Sequence, residues 1–387
     1  MTAYFADLHV HIGRTFNNKP VKITAARNLT LTNILKTAKF PKGLDLIGVI
    51  DCHSPEVIME MVGLLESGEL VEMEGGGFRF ENEVTLIPGC EIEVYDHRCN
   101  GPIHVLAYFP GLTSLKAFSE WLSKRVTNNQ LSTQRMYEDA KVLQEKVKML
   151  GGLFIPAHIF TPFKSLFGKG VIQSLTEVLN PKLIDAVELG LSSNTDMADK
   201  IPELHQYTFV SNSDAHSLAK IAREYQKIQL DSPTFQSLAR ALQNENGNYI
   251  ETNYGLDPFL GKYYRTACAK CFMLKDSDVC KNCGLDKFTK GVSERIQELA
   301  KVAANDLPKR PPYIHQVPLD FIPGLGPKTL EKLFDHFGTE MNILHHVSEK
   351  ALMDTVNPEL AKMISKARSG ILQISAGGGG KYGKVKR

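Results

Sequence analysis

The sequence predicts an α/β chain built on a closed or distorted β/α barrel, followed by a small four-cysteine module and an all-α hairpin domain. Three observations carry that expectation. Through about residue 230, short apolar runs alternate with amphipathic stretches, the pattern of strands joined by helical crossovers. Most of those runs end in histidine or a carboxylate, and the C-terminal ends of the strands are where such barrels carry their chemistry. Beyond residue 260 the chain changes character, first to paired cysteines and then to helices interrupted by glycine and proline.

The first strand runs through Tyr4, Phe5 and Ala6 into Asp7-Leu8-His9-Val10-His11. Residues two apart on a strand share a face, so Asp7, His9 and His11 project together, and three such groups crowded on one face call for a metal. Asn28-Leu29-Thr30 then precedes a helix near 31–39, and residues 44–50 form the second strand, ending in Asp51 and His53. Ser54 and Pro55 supply an N-cap and first-turn proline for a helix that stops at Gly68. Residues 70–80 read as a hairpin. Strands near 84–92 and 102–109 follow, the first carrying Glu91 and Glu93, the second His104. Helices are expected near 113–125 and 133–150, the latter ended by Gly151-Gly152. The alternation resumes with a strand at 153–157 leading to His158, a helix at 170–179, and strands at 184–189 and 207–213 leading to Asp214 and His216. Residues 226–265 read as a connector with one helix, 235–244.

Cys268-x-x-Cys271 and Cys280-x-x-Cys283 place two sulfurs on each of two knuckles, the spacing of a closed tetrahedral site for a structural Zn2+. A short helix at 292–304 and a stiff linker at 308–312 lead to Pro323-Gly324-Leu325-Gly326-Pro327-Lys328. A helix, a tight Gly-x-Gly turn and a second helix opening at Lys328 would present backbone N–H groups to a phosphate, with Gly324, Gly326 and Lys328 as the contacts. Residues 349–369 read as a second helical pair that has Asn357-Pro358 in place of the glycine turn. Four glycines and a basic end make 376–387 a flexible tail.

Composition sets the outer limits. A length of 387 residues points to two or three domains. No long apolar run and no basic-then-apolar leader occur, so a soluble, cytoplasmic protein without membrane contact is expected. Residues 226–387 hold 23 Lys/Arg against 17 Asp/Glu, and residues 1–225 hold 22 against 26, which puts any phosphate-binding surface in the C-terminal part.

Taken together, Asp7-Leu-His9-Val-His11, Asp51-Cys-His53, Gly89-Cys-Glu91, His104, Pro156-Ala-His158 and Ser213-Asp214-Ala-His216 resemble, in order, the motifs of the polymerase-and-histidinol-phosphatase (PHP) family of metal-dependent phosphoesterases. The resemblance covers residues 1–225 and implies a distorted seven-stranded β/α (PHP) barrel with up to three metals at its rim. It further implies that His9, His11, Glu91 and Asp214 hold one metal, that Glu91 bridges to a second completed by His104 and His158, and that His53 and His216 serve a third. Those residues, Asp214, Glu91, His9, His11, His158 and His216 foremost, would form the catalytic centre, with Asp51 and Glu93 orienting the ligands. The family usually has a His or Asp where this chain has Asn17, which weakens the third site. The ligand mixture suits Zn2+, Mn2+ or Fe2+ better than Mg2+.

With the four-cysteine module, the helix-hairpin-helix and the segment 22–30, the whole arrangement is similar to the endonuclease Q family. That similarity implies a DNA repair endonuclease that cuts on the 5′ side of a deaminated base, uracil or hypoxanthine, or of an abasic site, after flipping the base. Segment 14–30, with Lys22 and Arg27, is then expected near the DNA. The expected units are the barrel at 1–230, the connector and cysteine module at 231–290, the helix-hairpin-helix domain at 291–375 and the tail at 376–387. A monomer is expected, and no clamp-binding peptide is evident. The alternative on the same barrel is a phosphatase, or a phosphodiesterase or exonuclease acting on other nucleic-acid or small phosphoester substrates, which would not need residues 260–387.

Overall fold

The computed structural model of the chain describes residues 1–301 and 307–372, and the backbone pairing of 374–375 with 384–385. The end of the expected helix at 292–304 and most of the expected tail lie outside the described residues. Strand β1 (Thr2–Val10) leads through α1 (Leu31–Thr37) to β2 (Leu46–Val49). From there α2 (Pro55–Glu66) and the hairpin β3 (Leu70–Glu72) and β4 (Phe78–Phe80) lead to β5 (Val84–Val94). Next come β6 (Ile103–Tyr108), α3 (Leu112–Ser123), the two-residue β7 (Arg135–Met136), α4 (Ala140–Met149) and β8 (Leu153–Pro156). Strands β9 (Ala186–Glu188) and β10 (Thr208–Val210), separated by α5 (Thr195–Ala198), complete the barrel.

Seven strands form the wall in the order β1, β2, β5, β6, β8, β9, β10. Strand β2 lies parallel to both β1 and β5. Backbone bonds from Asp185 to Phe154 and from Ile159 to Glu188 tie β8 to β9, and a parallel bridge between Val10 and Ala215 closes the ring on β1. One strand breaks the expected parallel arrangement: β6 runs antiparallel to both β5 and β8. The connection from β5 to β6 is only residues 95–102, too short for the dozen or more residues a parallel crossover needs. His104 therefore opens its strand instead of following it, and the reversal puts that opening at the rim where the other strands end.

Apolar side chains of successive strands, Leu8, Leu46, Ile87, Leu106, Ile155 and Val210, meet in one buried cluster. Phe235 and Leu238 of helix α6 (Phe235–Gln243) join it. Two expected helices differ. Residues 133–139 are not helical, because Arg135 and Met136 pair with β5. The helix expected at 170–179 is replaced by short turns at Leu166–Gly170 and Leu175–Glu177. The Glu177 carboxylate accepts from the backbone N–H of Ile172, Gln173 and Ser174, which folds the chain back on itself in competition with a helix.

The stretch expected as a connector holds α6 and two further strands. Strand β11 (Tyr225–Leu230) pairs antiparallel with β1, and β12 (Tyr249–Gly255) pairs with β11. The short pair β13 (Ala267–Cys268) and β14 (Phe288–Thr289) carries the cysteine module, and α7 (Val292–Leu299) follows. Strand β15 (Tyr313–His315) returns to β12. Helices α8 (Pro327–Phe337), α9 (Glu340–His345), α10 (Glu349–Thr355) and α11 (Pro358–Arg368) form the last unit. The first arm of the glycine hairpin is only a single turn at Leu319–Phe321. No helix among the described residues is long and apolar enough to cross a membrane.

Candidate metal centre

The barrel rim gathers His9, His11 and Asp214 into one group of potential ligands and Glu91, His104 and His158 into a second. His9 is the penultimate residue of β1, and Asp214 follows β10 across the seam that the Val10–Ala215 bridge closes. Glu91 lies between the two groups. Its Oε1 is 3.6 Å from His9 Nε2, 3.0 Å from His104 Nδ1 and 3.4 Å from His158 Nε2. Its Oε2 is 3.5 Å from His11 Nε2. Asp214 Oδ1 stands 3.5 Å from His9 Nε2 and 3.4 Å from His11 Nε2.

Apart from the 3.0 Å contact of Glu91 with His104, these separations are too long for good hydrogen bonds but fit ligands around an ion. Donors held at about 2.0–2.2 Å from one tetrahedral metal lie roughly 3.4 Å from each other. His9 Nε2 is buried with no hydrogen-bond partner, which in a fully buried ring is a cost unless something else is bound there. Electrostatics agree. Burial opposes charge on His9, yet Glu188, Asp214 and Glu91 hold its pKa up at about 10, so the pocket asks for positive charge. Burial likewise opposes the charge of Glu91 and Asp214, but the surrounding histidines, joined at Glu91 by the Lys22 ammonium, keep both carboxylates well below their usual range.

The ring orientations are fixed from behind. Asp51 Oδ2 is 3.0 Å from His11 Nδ1 and also accepts from the backbone N–H of Ile12. Glu93 reaches to 3.6 Å from His104 Nε2. Both stand beside the histidines they were expected to orient, Asp51 within hydrogen-bond distance and Glu93 just beyond it. Glu188, at the end of β9, was missed. Its carboxylate holds His9 Nδ1 at 2.9 Å and accepts from Asn212 Nδ2 and from the backbone N–H of His158, so one residue sets a ligand of each group. Carboxylates behind metal-binding histidines fix the tautomer and raise ligand basicity. His158 and Asp214 both sit at positive φ, 30° and 46°, a costly backbone for such residues that recurs at functional sites.

His53 and His216 join neither group. His53 is buried with Nδ1 unpartnered, and His216 Nδ1 lies 3.0 Å from the Asp214 carbonyl. Asn17, at the position where the family pattern has a ligand, is exposed. His216 Nδ1 also stands 3.6 Å from Asp214 Oδ1, but among the described residues neither histidine is gathered with two further donors. Lys22, expected near the DNA, enters the centre: its Nζ is 3.2 Å from Glu91 Oε2 and 2.6 Å from Thr133 Oγ1. Arg27 is exposed on the same loop.

The four cysteine sulfurs form a third group, with Cys268 and Cys283 sulfurs 3.5 Å apart and Cys271 and Cys280 sulfurs 3.3 Å apart. That is far beyond a disulfide bond and close to the roughly 3.8 Å edge of a tetrahedral Zn–S site. In the hairpin, a Cβ added at Gly324 or Gly326 would meet nothing within 4 Å, Gly324 holds φ at +89°, and Lys328 is exposed.

A seven-stranded β/α barrel whose rim carries these paired histidine and carboxylate groups defines a metal-dependent phosphodiesterase of the PHP type, a hydrolase. No protein-family model matches the chain. It is similar over its whole length to the uncharacterised protein YqxK of Bacillus subtilis, at 54% identity with 100% of each chain covered. Among solved structures it resembles the lesion-specific endonuclease PfuEndoQ from Pyrococcus furiosus, at 31% identity, TM-score 0.85, and coverage of 100% of this chain and 95% of that one. It also resembles endonuclease Q in complex with a 27-mer duplex bearing an abasic lesion at the active site, at 32% identity, TM-score 0.84, with 100% and 96% coverage. The chain belongs to the endonuclease Q family.

Proposed function

We propose that this protein is a DNA repair endonuclease that hydrolyses the phosphodiester on the 5′ side of a deaminated base, uracil or hypoxanthine, or of an abasic site. The observation that carries this reading is the likeness across the whole chain, hairpin and cysteine module included, to an endonuclease held on lesion-bearing duplex at its active site. A small-phosphoester hydrolase would need only the barrel.

In this reading His9, His11 and Asp214 would hold one divalent ion and His104 and His158 a second, with Glu91 placed to serve both. When bound, such a pair lowers the pKa of a water and neutralises charge on the attacked phosphate. Glu188 and Asp51 keep His9 and His11 aimed, so that the ligands need no reorganisation when substrate arrives. Beside the centre, His158, Thr161, Asn212, Asp214 and Tyr263 line a cavity of about 240 Å³. A base turned out of the stack would find that cavity next to the attacked bond, and unstacking costs least for a mispaired or missing base. Cys268, Cys271, Cys280 and Cys283 hold a structural Zn2+, and Gly324, Gly326 and Lys328 grip backbone phosphate.

Comparing hydrolysis of a nitrophenyl phosphate with nicking of a duplex carrying one uracil tests the reading. Nicking of the duplex at nanomolar enzyme, with slow or absent nitrophenyl phosphate hydrolysis, is expected. Efficient hydrolysis of the small ester with an uncut duplex would assign the barrel to another substrate.

A further inference from the structure

Lys22 is placed as a built part of the metal centre. Its backbone N–H donates to the Ile12 carbonyl, and the neighbouring Val21 bonds both to Gly13 and to Ser132, so the loop is pinned to the end of β1 on one side and to the segment before β7 on the other. From that anchored backbone the side chain runs inward until only 16% of it is exposed. Its ammonium then reaches Glu91 Oε2, while Thr133 Oγ1 donates to the same oxygen at 2.5 Å. The carboxylates of Asp51 and Asp214 also lie within range of its charge, as does the His216 ring.

A buried lysine among metal ligands is an odd choice if only metals are to bind, because like charges repel strongly where water is scarce. The residues expected at a third site are only partly gathered: Asn17 is exposed, and among the described residues His216 meets Asp214 at 3.6 Å but joins no group of three with His53. Each fact explains the other. An ammonium fixed beside Glu91 makes a third dication unfavourable, and it supplies one of the positive charges that ion would have brought.

We propose that Lys22 is the third cation of this centre. The centre takes two divalent ions, and the Lys22 ammonium donates to a non-bridging oxygen of the phosphate that they hold. This rests on the two-metal phosphodiesterase reading but not on lesion choice. Lysine can serve as such a point charge, since its three donors need no fixed plane.

The test uses the full-length protein saturated with Mn2+, freed of excess metal, and probed with inorganic phosphate. Elemental analysis of the wild type is expected to give three metals per chain, two at the centre and one at the cysteines. Lys22→Met should keep that count while binding phosphate about tenfold more weakly, the loss of one charge-assisted hydrogen bond. Lys22→Arg should fall between the two. A fourth metal in the wild type would overturn the proposal, and so would phosphate affinity unchanged in Lys22→Met. Loss of a metal from Lys22→Met would also overturn it, because the ammonium would then be propping a ligand and not acting as a cation. Neither readout involves DNA, so a failure of lesion-directed nicking would be recognised separately.

Discussion

Asp214 and Glu188 do different work at the same ring. Asp214 faces His9 Nε2 across the space an ion would fill, whereas Glu188 holds the opposite nitrogen, Nδ1. Asp214→Asn keeps the shape and removes a charge that both His9 and His11 face. Nicking of a uracil duplex should fall by orders of magnitude in single-turnover assays while duplex affinity, measured by gel shift, stays nearly unchanged. Glu188→Gln should instead weaken metal binding by about 10–100-fold, read by chelator competition, with activity recovered at high Mn2+. The residues gathered at the rim were legible in the sequence because a strand alternates its faces, so His9 with His11 stands out at the end of an apolar run, as does Asp214 after β10. Glu188 and Lys22 were not. Glu188 is a single acid at the end of a three-residue strand, and Lys22 lies in a loop whose residues have no period to betray which one turns inward.

The hairpin and the cysteine module pose questions that single ligands do not. Gly326 has open space where a Cβ would go, so Gly326→Ala should leave the melting temperature unchanged, and any loss of binding then reports on the approach of DNA. Binding should weaken by a similar factor on all duplexes, and Lys328→Ala should lower the salt dependence by about one counterion without altering lesion preference. Cys280→Ala should release one metal per chain by elemental analysis and open residues 262–290 to proteolysis, because four thiolates hold a module with only two short strands of its own. At this scale the sequence showed strands better than helices. Apolar runs fixed all seven wall strands within a few residues. The false helix at 170–179 arose because Glu177 caps three backbone N–H groups locally, and the reversed β6 escaped notice because direction depends on connection length, which apolar pattern does not reveal.

The molecule as a whole fixes its hairpin unit against the barrel. Lys42 and Glu340 form a buried ion pair at 2.6 Å, a contact expensive to break because it would strand a charge. His345 stacks on Phe5 at 4.4 Å and meets the Tyr225 hydroxyl at 2.7 Å. Burial pulls its pKa down to about 3, so the contact stays uncharged across ordinary pH. Strand β15 adds a further tie by pairing with β12. On the proposed reading, a duplex gripped at the hairpin would be held at a set distance from the metal centre, which would let a sequence-blind grip serve a site that selects a lesion. The most direct measurement is to map cut positions on end-labelled duplexes that carry a single uracil opposite guanine, a single uracil opposite adenine, a single abasic site, or no lesion. The account predicts one cut, on the 5′ side of the lesion, fastest at the abasic site and at uracil opposite guanine, with the undamaged duplex intact and Asp214→Asn inactive on all four. Equal cutting of the undamaged duplex, or cuts unrelated to the lesion, would contradict it.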